Sequence, residues 1–148
     1  MVDVIDETFV VADAADVAAA LKNPELWRRM FPDLELTVFM DRGDAGVRCS
    51  VTGRLVGSNE FWVEPWGDGA LVHYYLRADI TRRGSATEPI TGSPRRLYRR
   101  AVRARMHHCA LLKQHLNAVK DSLEAGRPPG TARGTVPMKR GAHPPEWE

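Results

Sequence analysis

Along the first 80 positions apolar and polar residues mostly alternate, and then the period lengthens. Residues 2–11, rich in Val, Ile and Phe, predict a strand. Asp13 is a good N-cap and Asp16 sits where a first helical turn favours negative charge, so a short helix through Val17, Ala20 and Leu21 follows. Asn23-Pro24 restarts the chain, since Asn caps and Pro fits the first helical position. This second short helix carries Leu26, Trp27, Met30 and Phe31, and Pro32 ends it because proline cannot continue the hydrogen-bond ladder. Residues 34–42 set Leu34, Leu36, Val38 and Met40 against Glu35, Thr37, Phe39 and Asp41. After the turn DRGDAG, residues 47–56 set Val47, Cys49, Val51, Gly53 and Leu55 against Arg48, Ser50, Thr52 and Arg54. A turn at Gly57-Ser58-Asn59 leads into residues 60–66, and Gly67-Asp68-Gly69 is a hairpin signal. Residues 70–80 then place Ala70, Val72, Tyr74, Leu76, Ala78 and Ile80 on one face, with His73, Tyr75, Arg77 and Asp79 on the other. Repeated period-two patterning of this kind predicts an antiparallel meander with one face buried.

Residues 82–93 read as a loop, and Ser93-Pro94 opens a helix that nothing interrupts before Gly126. A helix of about 32 residues would run roughly 48 Å. Its apolar stripe is Tyr98, Val102, Met106, Cys109, Leu112, Leu116, Val119 and Leu123, spaced by threes and fours, which predicts one buried face. So long a helix needs a large partner, and the apolar sheet face is the candidate. The expected fold is therefore α+β, a helix grip in which a curved antiparallel sheet wraps around the long C-terminal helix. Two short helices at one mouth leave room for a cavity between the layers.

Composition adds boundaries. The chain has 148 residues, enough for one domain and a tail. From 126 to 148, nine of 23 residues are Gly or Pro, so residues 1–125 are expected to form the domain and 126–148 a disordered tail. No apolar run approaches the ~20 residues of a membrane span, and the start lacks a basic-then-apolar signal, so the expected location is cytoplasmic. In that compartment Cys49 and Cys109 are expected to be small buried hydrophobes.

The net charge of +2 conceals segregation. Residues 1–46 hold ten acids and four bases, whereas residues 82–108 hold eight arginines and one glutamate. Arg95, Arg96, Arg99, Arg100, Arg103 and Arg105 crowd the first half of the long helix, where positive charge opposes the dipole. By spacing, Arg96, Arg99, Arg100 and Arg103 share a face that suits anionic lipid, a phosphate-bearing ligand or an acidic partner. The alternative is a solvated face balanced by the acidic N-terminal segment. Nucleic acid is disfavoured, because no aromatic platform is interleaved with the arginines.

Chemistry-bearing residues are few on the inward faces. Tyr74 is the main one, as an orienting hydroxyl or as an ordinary amphipathic core residue, joined by Cys49 and by His108 or His115 from the helix. The row His73, Tyr75, Arg77 and Asp79 reads as the solvated side of a strand, and would become a catalytic row only if the faces were exchanged. His107, His108, Cys109 and His115 lack the three- or four-residue spacing that puts two metal-binding histidines on one helix face, so no metal and no cofactor is expected.

Three segments carry a family resemblance. DAADVAAALKNPELWRRMFP, FWVEPWGDGALVHYYLRADI and LLKQHLNAVKDSLEAGRPPG resemble the paired short helices, the closing hairpin and the terminal helix of the START-like (SRPBCC) superfamily, in its polyketide cyclase/dehydrase and lipid-transport branch. The resemblance implies a hydrophobic small-molecule ligand, lipid or polyketide-like, between sheet and helix. The lining expected here is Trp27, Phe31, Val38, Met40, Val51, Phe61, Val63, Tyr74, Leu76, Met106 and Cys109. Two other functions are a metal-independent cyclase or dehydratase, which would need His73, Tyr75 or Arg77 in the cavity, and a non-catalytic interaction module using the Arg-rich face. The family carries one more hairpin between the short helices and the long one than this chain does. The cavity is therefore expected to be small, open at one side, or completed by a second subunit, so a homodimer is a further candidate assembly.

Overall fold

The structure, a computed structural model, describes residues 1–124; the expected tail at 126–148 lies outside the described residues. The chain runs β1 (Val2–Val10), α1 (Ala14–Leu21), α2 (Pro24–Met30), β2 (Leu34–Asp41), a single 3-10 turn (Gly43–Ala45), β3 (Gly46–Gly53), β4 (Leu55–Trp66), β5 (Gly69–Ile80) and α3 (Pro94–Glu124). One antiparallel sheet has the order β1-β5-β4-β3-β2. It is a meander with the first strand returned to the edge beside the last. The long helix packs on β1 and β5, and α2 packs on β2, so the architecture is the expected helix grip. No described helix is long and apolar enough to cross a membrane.

Alternation dictates which face is buried. Val2 and Val4 of β1, Val47, Cys49 and Val51 of β3, Phe61 and Val63 of β4, and Val72, Tyr74 and Leu76 of β5 all enter one core. The short helices close one end of it. Asn23 Oδ1 accepts a hydrogen bond from the Glu25 amide at 3.0 Å, the cap expected of Asn-Pro. Trp27 is buried, and its Nε1 donates to the Leu21 carbonyl at 2.8 Å, fastening α2 to the end of α1.

Three details depart from the sequence expectation. The turn between β3 and β4 lies at Gly53-Arg54 and not at Gly57-Ser58-Asn59. Gly53 adopts φ 114°, the left-handed region that glycine tolerates. Gly57 is instead in mid-strand, where an added Cβ would lie 2.1 Å from the Arg77 carbonyl oxygen, so this glycine marks close approach of β5.

The first half of α3 also buries a different face. Tyr98 and Met106 are 72% and 66% exposed, and the inward residues are Ala101, Ala104 and His108, leading to Leu112 and Leu116. Both tracks have helical spacing. Hydrophobicity selected the wrong one because the residues facing the sheet there are small or polar.

Third, β2 is an edge strand that α3 does not cover. Val38 and Met40 are 44% and 41% exposed, and the register shifts between them. The β1 edge, by contrast, is closed by α3. Lys113 donates to Thr8 Oγ1 at 2.8 Å, Lys120 donates to the Phe9 carbonyl at 2.7 Å, and Glu124 accepts from the Val11 amide at 2.9 Å.

Candidate functional site

A buried polar chain crosses the core where α3 passes over β5. Asn59 Nδ2 donates to the Tyr74 hydroxyl at 3.2 Å, and that hydroxyl lies 2.7 Å from His108 Nε2. The Tyr74 hydroxyl donates its proton to His108 Nε2 or accepts one from it, according to the imidazole tautomer. His108 is a neutral imidazole near neutral pH. Burial, reinforced by the neighbouring His107, pushes its pKa down to about 4. Burial likewise raises the Tyr74 hydroxyl far above its ordinary range and the Cys49 thiol up to about 11, so neither ionises near neutral pH. Phe31 stacks on the His108 ring, with centroids 4.5 Å apart and planes within 5°.

Directly beside this chain lies a cavity of about 390 Å³. That volume falls within the roughly 300–1,000 Å³ typical of small-molecule sites. Phe31, Leu34, Leu55, Ile80, Ala104 and Leu111 supply its apolar walls, and His108 borders it. The helix contributes residues 100, 103, 104, 107, 108 and 111, the i, i+3, i+4, i+7 pattern of a single face. Ala104 is the one small side chain that α3 presents to it, among the larger Arg100, Arg103, His107, His108 and Leu111. Polar groups gather around the same cavity. Arg54, Arg100, Arg103 and His107 line it, together with Asp33, which lies 3.6 Å from Arg54.

Of the eleven residues expected to line a cavity, Phe31 does so. Trp27, Val51, Phe61, Val63, Tyr74 and Leu76 are buried in the packed core, and Cys109 is half-buried against it. Val38, Met40 and Met106 point to solvent, a correction that follows from the uncovered β2 edge and the rotated start of α3. Arg100 and Arg103 do reach the cavity, whereas Arg96 and Arg99 are exposed outside it. The expected inward position of Tyr74 is met, but its hydroxyl is committed to His108. Sequence reasoning missed Leu34, Leu55, Ile80, Ala104 and Leu111. The only signal for the three strand residues was that each stands at a strand terminus, Leu34 and Leu55 opening β2 and β4 and Ile80 closing β5.

The row on the other face of β5 takes part in surface contacts. His73 stacks on Trp62 with centroids 4.4 Å apart, and its Nε2 is 2.9 Å from Glu64 Oε2. Arg77 pairs with Asp3 at 3.5 Å. None of His73, Tyr75 and Arg77 lines the cavity. His115 Nδ1 bonds to the Leu111 carbonyl within its own helix at 2.9 Å.

No protein-family model and no curated protein sequence matches the chain. Solved structures do. The solution structure of the Aha1 dimer from Colwellia psychrerythraea superposes with a TM-score of 0.54 at 14% identity, covering 86% of this chain and 100% of that one. The fold is START-like. A START superfamily protein from Mycobacterium smegmatis also matches, with a TM-score of 0.45 at 13% identity over 82% of this chain and 98% of that one. The domain combines a five-stranded sheet, paired short helices and a long terminal helix, and its cavity lies beneath the start of α3.

Proposed function

We propose that this START-like domain binds a hydrophobic small molecule, lipid or polyketide-like, in the cleft between the first half of α3 and the ends of β4 and β5. The observation that carries this reading is the 390 Å³ cavity walled by Phe31, Leu34, Leu55, Ile80, Ala104 and Leu111 at the edge of the core. Burying apolar ligand surface against these walls contributes about 25 cal/mol per Å². His108 adds a polar group to the cavity wall. An enzymatic reading needs His73, Tyr75 or Arg77 at the ligand, and their placement outside the cavity gives it no support.

The neutral fluorophore N-phenyl-1-naphthylamine tests this reading. Its emission should rise saturably with a Kd of about 100 μM or tighter, taking roughly 0.3 kcal/mol per ligand atom. Ala104→Trp places an indole in the cleft and should abolish the signal, with the circular dichroism spectrum and the melting midpoint kept near wild type. Equal binding by Ala104→Trp would move the site elsewhere, and no binding by the wild type would refute the reading.

A further inference from the structure

We infer that the ligand carries an anionic end, a carboxylate or a phosphate, held at the rim of the cleft by Arg100 and Arg103 of α3 with Arg54 facing them from the β3–β4 turn. This rests on the binding reading above and names the ligand class for that site. The charge around the cleft is one-sided: three guanidinium groups line it against a single carboxylate, Asp33. Asp33 is partnered across the turn by Arg54, and no described carboxylate lies in ion-pair distance of Arg100 or Arg103.

Three acids of the N-terminal strand, which would help to balance the arginines if they formed an ordinary solvated face, are engaged elsewhere. Asp3 pairs with Arg77, Asp6 with Lys113 at 3.0 Å, and Glu7 with His73 at 3.5 Å. Arg100 and Arg103 stand in the second and third turns of α3, and the one carboxylate that lines the cleft with them is Asp33.

The cleft is graded in depth. Arg100, Arg103 and His107 are exposed, Ala104 and Leu111 are half-buried, and His108 is buried. An amphiphile fits that gradient in one orientation, with its apolar body against Phe31, Leu55 and Leu111 and its charged end among the arginines. The guanidinium group is also the side chain whose planar fork matches carboxylate and phosphate oxygens in pairs.

Calorimetric titration of three ligands with a common chain, 1-octanol, octanoate and octyl phosphate, tests the inference. With each exposed charge pair contributing up to about 1 kcal/mol, the better anion should bind about tenfold tighter than octanol at low salt. Whether octanoate or octyl phosphate is tighter identifies the head group, and either supports the inference. Arg100→Gln/Arg103→Gln should bring the anion-to-alcohol ratio within about threefold, a loss of the same few tenths to 1 kcal/mol per pair. Arg96→Gln/Arg99→Gln, outside the cleft, should keep the preference. Octanol binding as tightly as both anions would overturn the anionic end and leave the binding reading standing. Equal loss in the Arg96/Arg99 variant would overturn it too, since a diffuse field and not the rim would then set the preference. If no ligand binds, the binding reading falls and this inference with it.

Discussion

Replacing Phe31 with alanine lowers the unfolding free energy by about 3–5 kcal/mol, the range for deleting a buried aromatic ring. The reason is the position of the ring. Phe31 is 2% exposed, stacks on His108 and lies 6.0 Å from the Tyr74 ring, so one side chain packs against two members of the polar chain and also walls the cleft. Its loss removes the transfer energy of the ring, leaves a void continuous with the cavity, and forfeits aromatic contacts of about 0.5–1.5 kcal/mol each. Against a total stability of about 5–15 kcal/mol, that is a large fraction. Urea denaturation should show the midpoint falling at nearly constant slope, and the melting temperature should drop by roughly 10–15 °C. Phe31→Leu should retain at least half of the lost stability, because it keeps much of the volume. A change below about 1 kcal/mol in Phe31→Ala would mean that the ring is not part of the core.

Acidification should destabilise the protein through His108. The ordinary imidazole pKa of 6.5 applies to the unfolded chain, and burial lowers the folded value to about 4. The folded pKa is thus depressed. Above pH 6.5 neither state binds the proton and the full stability is present. As pH falls from 6.5 to 4 the unfolded state takes up a proton that the folded state refuses, and stability is lost progressively. Below pH 4 this group contributes no further loss. The whole window is worth about 3 kcal/mol, with about 2 kcal/mol gone by pH 5.

His108→Gln isolates the effect, since a carboxamide can still hydrogen-bond to the Tyr74 hydroxyl but does not titrate. The difference between wild-type and His108→Gln stability, measured by urea denaturation from pH 7.5 to 4.5, should grow as pH falls. Parallel curves would show that His108 is not buried neutral. In the Phe31→Ala background, where water reaches the ring, the pH dependence should weaken.

Much of this fold was legible in the residues. The alternation in β5, the Asn23-Pro24 restart, Pro32 as terminator and Pro94 as the start of α3 each correspond to an observed boundary. These are local decisions, made by side-chain period and backbone chemistry. Decisions made by distant neighbours were not legible. Gly57 reads as a turn in isolation and is a close-packing site only because the Arg77 carbonyl lies against it.

The inward face of α3 was misjudged for the same reason. Tyr98 and Met106 are the more hydrophobic choices, yet they lie on the exposed face of the helix, and Ala101, Ala104 and His108 face the core. The candidate site sits at this misjudged stretch. A cavity forms where side chains are small, and hydrophobicity marks where they are large. Phe31 was found because it is large and adjacent to a terminator, and Arg100 and Arg103 because charge crowding is visible without a fold. Ala104, the one small side chain that α3 presents to the cleft, carries no sequence signal at all.

The central claim is that the ligand occupies the cleft under the start of α3 and not the core between sheet and helix. A titration of uniformly labelled protein with N-phenyl-1-naphthylamine, followed by backbone and methyl NMR shifts, tests it most directly. Saturable shifts should centre on Leu34, Leu55, Ile80, Ala104 and Leu111, with Val51, Val63 and Leu76 left near their free positions. Shifts centred on those core residues, or on Val38 and Met40 of the exposed β2 edge, would contradict it.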